Sequence, residues 1–152
     1  MGASHARAYH KMPDFEIVGL VSRGPATRGR ISKELGGLPE FSDYYQALAS
    51  AKPDVVSINT YPETHFAYVK AALEAGCHVF CEKPLAETVE ESEALVKLAR
   101  AKKLSLAFRG TDEYREFGLR CGCNHRLQQD VVRDIEMSES RAFGFQPCQN
   151  VP

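Results

Sequence analysis

The chain has 152 residues, of which 43% are hydrophobic, with a formal net charge of −1, so it holds enough apolar material for one ordinary domain with a core. The near-zero charge supplies no long-range field to recruit nucleic acid or membrane, and no apolar run has the length of a membrane-crossing helix. The opening MGASHARAYH lacks an apolar secretory core, and Ala6 stands where a myristoylation signal carries Ser or Thr; the expectation is a soluble, cytoplasmic chain.

In chain order, SHARAYHKM predicts a short helix with Ser4 near its start, and the β-branched run from Phe15 to Ser22 predicts a strand. A turn at Gly24-Pro25 leads to a helix from about Ala26 to Leu35, stopped at Gly36-Gly37. LPEFS reads as a connection or brief strand. SDYYQALAS reads as a two-turn helix capped by Ser42, with Tyr45 and Leu48 inward and Tyr44 as a further inward candidate. Asp54 to Asn59 is nearly continuous apolar sequence, which suits a strand covered on both faces. A helix opens at Pro62 or Glu63 and ends at Gly76, with Phe66, Val69, Ala72 and Leu73 as its apolar stripe. CHVFC is a further strand. The next helix carries Thr88 and, three residues on, Glu91, the spacing of a capping box. LSLAF is the last clear strand. Strands alternating with helices predict parallel α/β layering.

Ligands of open parallel sheets sit beyond the carboxyl ends of the strands. Three polar turns fall there: Ser22-Arg23-Gly24, Asn59-Thr60-Tyr61-Pro62 with His65 one turn into the helix, and Glu82-Lys83-Pro84. An acid after the first strand would accept hydrogen bonds from ribose hydroxyls; Ser22 and Arg23 instead suit a 2′-phosphate. Thr60 and the backbone near Tyr61 suit a pyrophosphate or nicotinamide pocket. The Lys83 ammonium could stabilise charge on a ligand oxygen, with Glu82 orienting it and Pro84 restricting its backbone. For Glu-Lys-Pro taken alone, a solvated turn is the plainer alternative. His5 and His10 are too far apart for one helix face and read as surface or helix-end residues.

The run AALEAGCHVFCEKPLAETVEESEALVKLA, with INTYPETH and GASHARAYHKMPDFEIVGLVSR, resembles the glucose-fructose oxidoreductase, inositol dehydrogenase and rhizopine catabolism family over residues 2–108. The resemblance implies a partial Rossmann-like dinucleotide-binding domain over residues 1–108 and NADP or NAD as cofactor. In the intact family the substrate is a small sugar, cyclitol or polyol, oxidised or reduced by hydride transfer. It makes Lys83 the catalytic candidate that contacts nicotinamide and substrate. Gly2, Ser22, Arg23, Asn59, Thr60, Tyr61, Pro62, His65, Glu82 and Pro84 join it as cofactor-binding candidates. INTYPETH departs from the family's Asn-Thr-Pro loop by Tyr61, and the acid usual near Ser22 and Arg23 is replaced, which leans toward NADP.

The family's usual first strand and its first two fingerprint glycines have no counterpart, Gly2 alone standing at the place of the last. The expected sheet therefore lacks a central strand, and the loss would leave its neighbours with unpaired backbone groups. Residues 109–152 show no strong period and no counterpart of the substrate domain or its Asp and His pair. HRLQQDVVRDIEM could form a helix, with Leu127, Val131 and Ile135 on one side. Cys121, Cys123, His125 and Cys148 lack the spacing of a zinc knuckle, so no metal is expected. With Cys77 and Cys81 the cysteines number five, an odd count that fits reduced thiols. Two readings stay open: an oxidoreductase-like domain, or a non-catalytic module that binds nucleotide or a protein partner such as a second copy or a full-length relative.

Overall fold

The computed structural model describes residues 2–108 and, as backbone, residues 140–145. Eleven elements follow one another: α1 (Gly2–Tyr9), β1 (Phe15–Val21), α2 (Pro25–Glu34), β2 (Glu40–Phe41), α3 (Tyr44–Ala51), β3 (Val55–Ile58), α4 (Pro62–Glu74), β4 (His78–Cys81), α5 (Val89–Lys102), β5 (Leu106–Phe108) and β6 (Ser140–Phe145). The strands form one parallel sheet in the order β2-β1-β6-β3-β4-β5, flanked by the helices. This is the Rossmann-like architecture the pattern predicts, opening on a helix in place of a strand.

The central position is filled from the far end of the chain. β6 pairs with β1 from Phe15↔Ser140 to Val21↔Phe145, and with β3 from Val55↔Ala142 to Ile58↔Phe145. The expected unpaired edges of β1 and β3 are therefore not found, because residues 140–145 satisfy them. The predicted helix at 125–137 and the candidate ligands Cys121, Cys123, His125 and Cys148 lie outside the described residues.

Local signals explain the helix ends. Thr88 and Glu91 form the reciprocal capping box, with Thr88 Oγ1 accepting from the Glu91 N–H and the Glu91 carboxylate accepting from the Thr88 N–H. Pro62 opens α4 at its first turn, and Gly76 follows its end at φ 87°, a left-handed conformation that an L side chain resists. α3 and α5 end instead on Lys52 and Lys103, at φ 45° and 58°. The cap of α3 is Asp43, not Ser42: its carboxylate accepts from the Gln46 N–H at 2.7 Å. Tyr44 is consequently the inward tyrosine at 3% exposure, and Tyr45, expected inward, is 55% exposed.

Two apolar clusters sandwich the sheet. Val18, Val21, Val56, Ile58, Val79 and Cys81 pack against α3, α4 and α5 in one. Ile17 and Leu20 pack against α1 and α2 through Ala6, Ile31 and Leu35 in the other. Neighbours on one face of a regular strand are two apart. In β1 they are three apart, and the register irregularity between Ile17 and Gly19 accounts for the shift.

Candidate functional site

The last residues of all six strands stand in one register row, Phe41–Val21–Phe145–Ile58–Cys81–Phe108. The turns after β1, β3 and β4 therefore leave the sheet along a single straight rim. Neighbouring strands lie about 4.8 Å apart, so the turns after β1 and β4 are about 14 Å apart, with that after β3 between them. Ser22, Asn59 and Glu82 are buried at this rim, while Arg23, Tyr61 and Lys83 are exposed along it.

At the β1 end, Ser22 is 2% exposed and its Oγ accepts from the Gly24 N–H at 3.2 Å, which holds the turn. Arg28 reaches back from α2: its Nη1 donates to the Ser22 carbonyl and its Nε donates to Glu40 Oε2 at 3.1 Å. The Arg28 guanidinium thus braces the carbonyl that precedes the exposed Arg23, a contact that sequence reasoning missed. The arginine lies seven residues beyond the strand end, and only the return of the helix toward the sheet brings it there.

At the centre of the rim, Asn59 is 2% exposed. Its amide donates to Ser57 Oγ at 3.0 Å, and its Oδ1 has no hydrogen-bond partner among the described residues. A buried acceptor left open costs on the order of 1–3 kcal/mol. Beside it, His5 Nε2 lies 3.0 Å from Glu82 Oε1 and His5 Nδ1 lies 3.4 Å from Ser57 Oγ. The His5 ring also packs on Phe80, with centroids 5.5 Å apart. His5 is therefore an internal bridge and not the surface residue expected. The small residues Ala3 and Ala6 pack in the cluster beneath α1, and so let the helix lie close on the sheet. Tyr9 completes the group; burial pushes its phenol up, and a hydrogen bond to Ser57 partly offsets this. Since His5 near the start of α1 meets Glu82, and Tyr9 near its end meets Phe15, the amino end of α1 with buried Gly2 lies at the rim.

His65 joins two of the turns. It is fully buried, with Nδ1 2.5 Å from the Pro84 carbonyl and Nε2 3.0 Å from the Thr60 carbonyl. Whichever ring nitrogen carries the proton donates to one of these oxygens, and the ring holds the loop after β3 at a fixed height against the turn after β4. The Thr64 hydroxyl shares in this, donating to the Tyr61 carbonyl and pairing with the Thr60 hydroxyl, at 2.7 Å each. Tyr61 precedes α4 and Pro62 begins it. The Lys83–Pro84 peptide is cis, and Lys83 is exposed while its neighbour Glu82 is engaged with His5. No group of three or more metal-ligating side chains occurs among the described residues, and none of their helices is long and apolar enough to cross a membrane.

Residues 1–109 match the family described as "Oxidoreductase family, NAD-binding Rossmann fold". Among curated relatives, D-glucoside 3-dehydrogenase of Escherichia coli K12 is 33% identical over 140 residues, covering 91% of this chain and 39% of its own. The dTDP-3,4-didehydro-2,6-dideoxy-α-D-glucose 3-reductase of Saccharopolyspora spinosa is 34% identical over 132 residues, covering 84% of this chain and 36% of its own. The solved UDP-N-acetylglucosamine 3-dehydrogenase of Acidithiobacillus ferrooxidans superposes with a TM-score of 0.64 at 31% identity, covering 71% of this chain and 34% of that one. The chain thus spans about two-fifths or less of the length of these relatives. It belongs to the glucose-fructose oxidoreductase, inositol dehydrogenase and rhizopine catabolism family of oxidoreductases, as a Rossmann-fold domain of the kind that takes NAD or NADP.

Proposed function

We propose that this chain is the dinucleotide-binding part of a cytoplasmic dehydrogenase that acts on a sugar or related cyclic polyol, with NADP preferred over NAD. The observation that carries the reading is the register row: it brings Ser22-Arg23, Asn59-Thr60 and Glu82-Lys83 to one rim in that order. Asn59 Oδ1 supports it, as a buried acceptor open to a donor at the middle of that rim. Residues 1–108 form the nucleotide-binding domain of this reading. Residues 140–145 supply a strand to its sheet.

Arg23, on the turn that Arg28 braces, would hold the adenosine end, where a 2′-phosphate meets a guanidinium more favourably than a ribose hydroxyl does. The amino end of α1 carries unpaired N–H groups and partial positive charge toward a pyrophosphate. Gly2, Thr60, Tyr61 and Pro62 would line the path, and His65 would hold that path in place from below. When bound, the nicotinamide supplies the hydride acceptor or donor. The Lys83 ammonium, presented outward at the last turn, would donate a hydrogen bond to the substrate oxygen and stabilise the charge that develops as its proton passes to a base supplied by the intact enzyme. Glu82, fixed by His5, would steady the turn that carries Lys83.

The names of three relatives support a narrower reading of the substrate: a D-glucoside 3-dehydrogenase, a dTDP-deoxyhexose 3-reductase and a UDP-N-acetylglucosamine 3-dehydrogenase each name sugar position 3. We take carbon 3 of a hexopyranose as the reacting centre in the intact enzyme.

Amide NMR titration of the full chain with NADP and with NAD tests the binding reading. Saturable shifts are expected at residues 22–24, 59–61 and 82–84. Arg23→Ala should weaken NADP about tenfold and NAD little. If neither dinucleotide moves those amides at ~5 mM, the chain is not a cofactor module. The substrate reading is tested on the intact enzyme by trapping the oxidised sugar with borodeuteride. Deuterium at carbon 3 is expected, and deuterium at another ring carbon defeats it.

A further inference from the structure

We propose that the slot between β1 and β3 also accepts the strand of residues 140–145 from a second copy of this chain, giving a reciprocal strand-exchanged dimer; this is independent of the cofactor reading. The central strand of the sheet is joined to the rest of the domain only through the 31 residues from 109 to 139 (139 − 109 + 1). The strand that precedes it, β5, sits at the far edge, with β3 and β4 between them. The gap is three strand spacings, about 14 Å, plus the return along one strand. A chain of that many residues reaches up to about 100 Å when extended, so connectivity permits a donor in the same copy or in another.

The slot also cannot be left empty without cost. It is walled by the backbone of Phe15–Val21 on one side and Val55–Ile58 on the other, with Ile17, Leu20, Val21, Val55, Val56 and Ile58 all buried. Unfilled, it would present two apolar strand edges with unpaired backbone groups in the middle of the sheet. The ladder is the same whichever copy donates, with Ile17↔Ala142↔Val55 and Val21↔Phe145↔Ile58, so exchange introduces no new interface and loses no pairing.

Folding order makes exchange accessible. β3, α4, β4, α5 and β5 are contiguous in sequence and close short loops. The pair Phe15↔Ser140 joins residues 125 apart (140 − 15). Such long closures come last, after an open slot has formed. At low concentration the chain's own strand arrives first. Near the millimolar effective concentration of a tethered segment, a neighbour's strand competes.

The experiment refolds the full chain from denaturant, in reductant, at ~5 µM and at ~500 µM, then measures mass by light scattering and amide exchange by mass spectrometry. Monomer is expected from the dilute sample and a substantial dimer fraction from the concentrated one, with the amides of 140–145 protected in both. Refolding the concentrated sample with tenfold excess of a peptide spanning 138–147 should lower the dimer fraction about fivefold by occupying the slot. The same peptide carrying Ala142→Pro should not, since proline removes a ladder donor. Monomer alone at ~500 µM overturns the proposal. So does a dimer in which amides 140–145 exchange freely, or one that the wild-type peptide leaves unchanged.

Discussion

Among the described residues, the face of the sheet under α3, α4 and α5 buries seventeen residues in one apolar cluster, and the face under α1 and α2 buries five. The first cluster is drawn almost wholly from the unbroken stretch between Tyr44 and Ala99. The second face relies on charged and polar pairs: Arg7 with Glu34 across α1 and α2, Arg28 with Glu40, and His5 with Glu82. Apolar burial is additive and indifferent to direction, so the larger cluster can hold the scaffold rigid. Hydrogen-bonded pairs are directional and contribute less net stability each, but they fix where a side chain points. The rim borrows from both: Cys81 and Ile58 anchor its turns in the large cluster, while His5 and Arg28 aim its polar groups from the smaller side.

The contrast can be broken at its strongest point first. Ile58→Ala should cost about 4 kcal/mol in urea denaturation, and Ile31→Ala, equally buried but in the small cluster, about 2 kcal/mol. Equal losses would erase the distinction between the faces. Between these two in size, His65→Leu removes the donor shared by the Thr60 and Pro84 carbonyls, at about 2–3 kcal/mol, and should speed amide exchange at 59–61 and 82–84 together. If only one of those turns loosens, His65 does not couple them. Asp43→Ala deletes a helix cap and should cost about 1 kcal/mol, whereas Ser42→Ala should be near neutral, read from paired thermal melts. Arg7→Ala should have the smallest effect of the set, and that effect should shrink further in high salt because the pair is exposed.

A pH scan sharpens the same comparison from inside the large cluster. Burial pushes the Cys77 thiol up from its ordinary 9.0 to about 11. The folded state therefore favours the neutral thiol, and that contribution is complete below pH 9. It is lost as pH rises from about 9, where the unfolded thiol ionises, through about 11, where the folded one does. Wild type should lose stability across this window more steeply than Cys77→Ala; parallel curves would show that the thiol does not report on the cluster. Cys81, buried against the same helices, is pushed in the same direction.

What could be read ahead of the structure was what neighbouring residues decide between themselves. Thr88 and Glu91 specify their cap within four residues, and the run from Val55 to Ile58 shows its burial by being apolar throughout. Ser42 and Asp43 defeated that reading because both are good caps and adjacent. A one-residue shift of the helix start turns the wheel by about 100°, which exchanged Tyr45 for Tyr44 as the buried ring. His5 and Arg28 were illegible for another reason: their partners Glu82 and Ser22 are set by how helices lie on the sheet, not by spacing along the chain. β6 is the extreme case. SRAFGF carries little strand signal of its own, and its place is dictated by the vacancy between two strands more than eighty residues away (140 − 58 = 82). The rim was legible because parallel layering puts every strand end on one side, a consequence of topology that follows from the order of elements alone.

The ends of α3 and α5 hold a last consequence. Two helices stop on lysines twisted into a backbone shape that costs a side-chain-bearing residue roughly 1 kcal/mol and that glycine adopts freely. Packing of the strands that follow, and not local preference, decides where those helices stop. A glycine at Lys52 and at Lys103 would make each stop native to its own sequence, so the molecule carries unused room for greater robustness at two sites before β3 and β5, at the end of the strands opposite the rim.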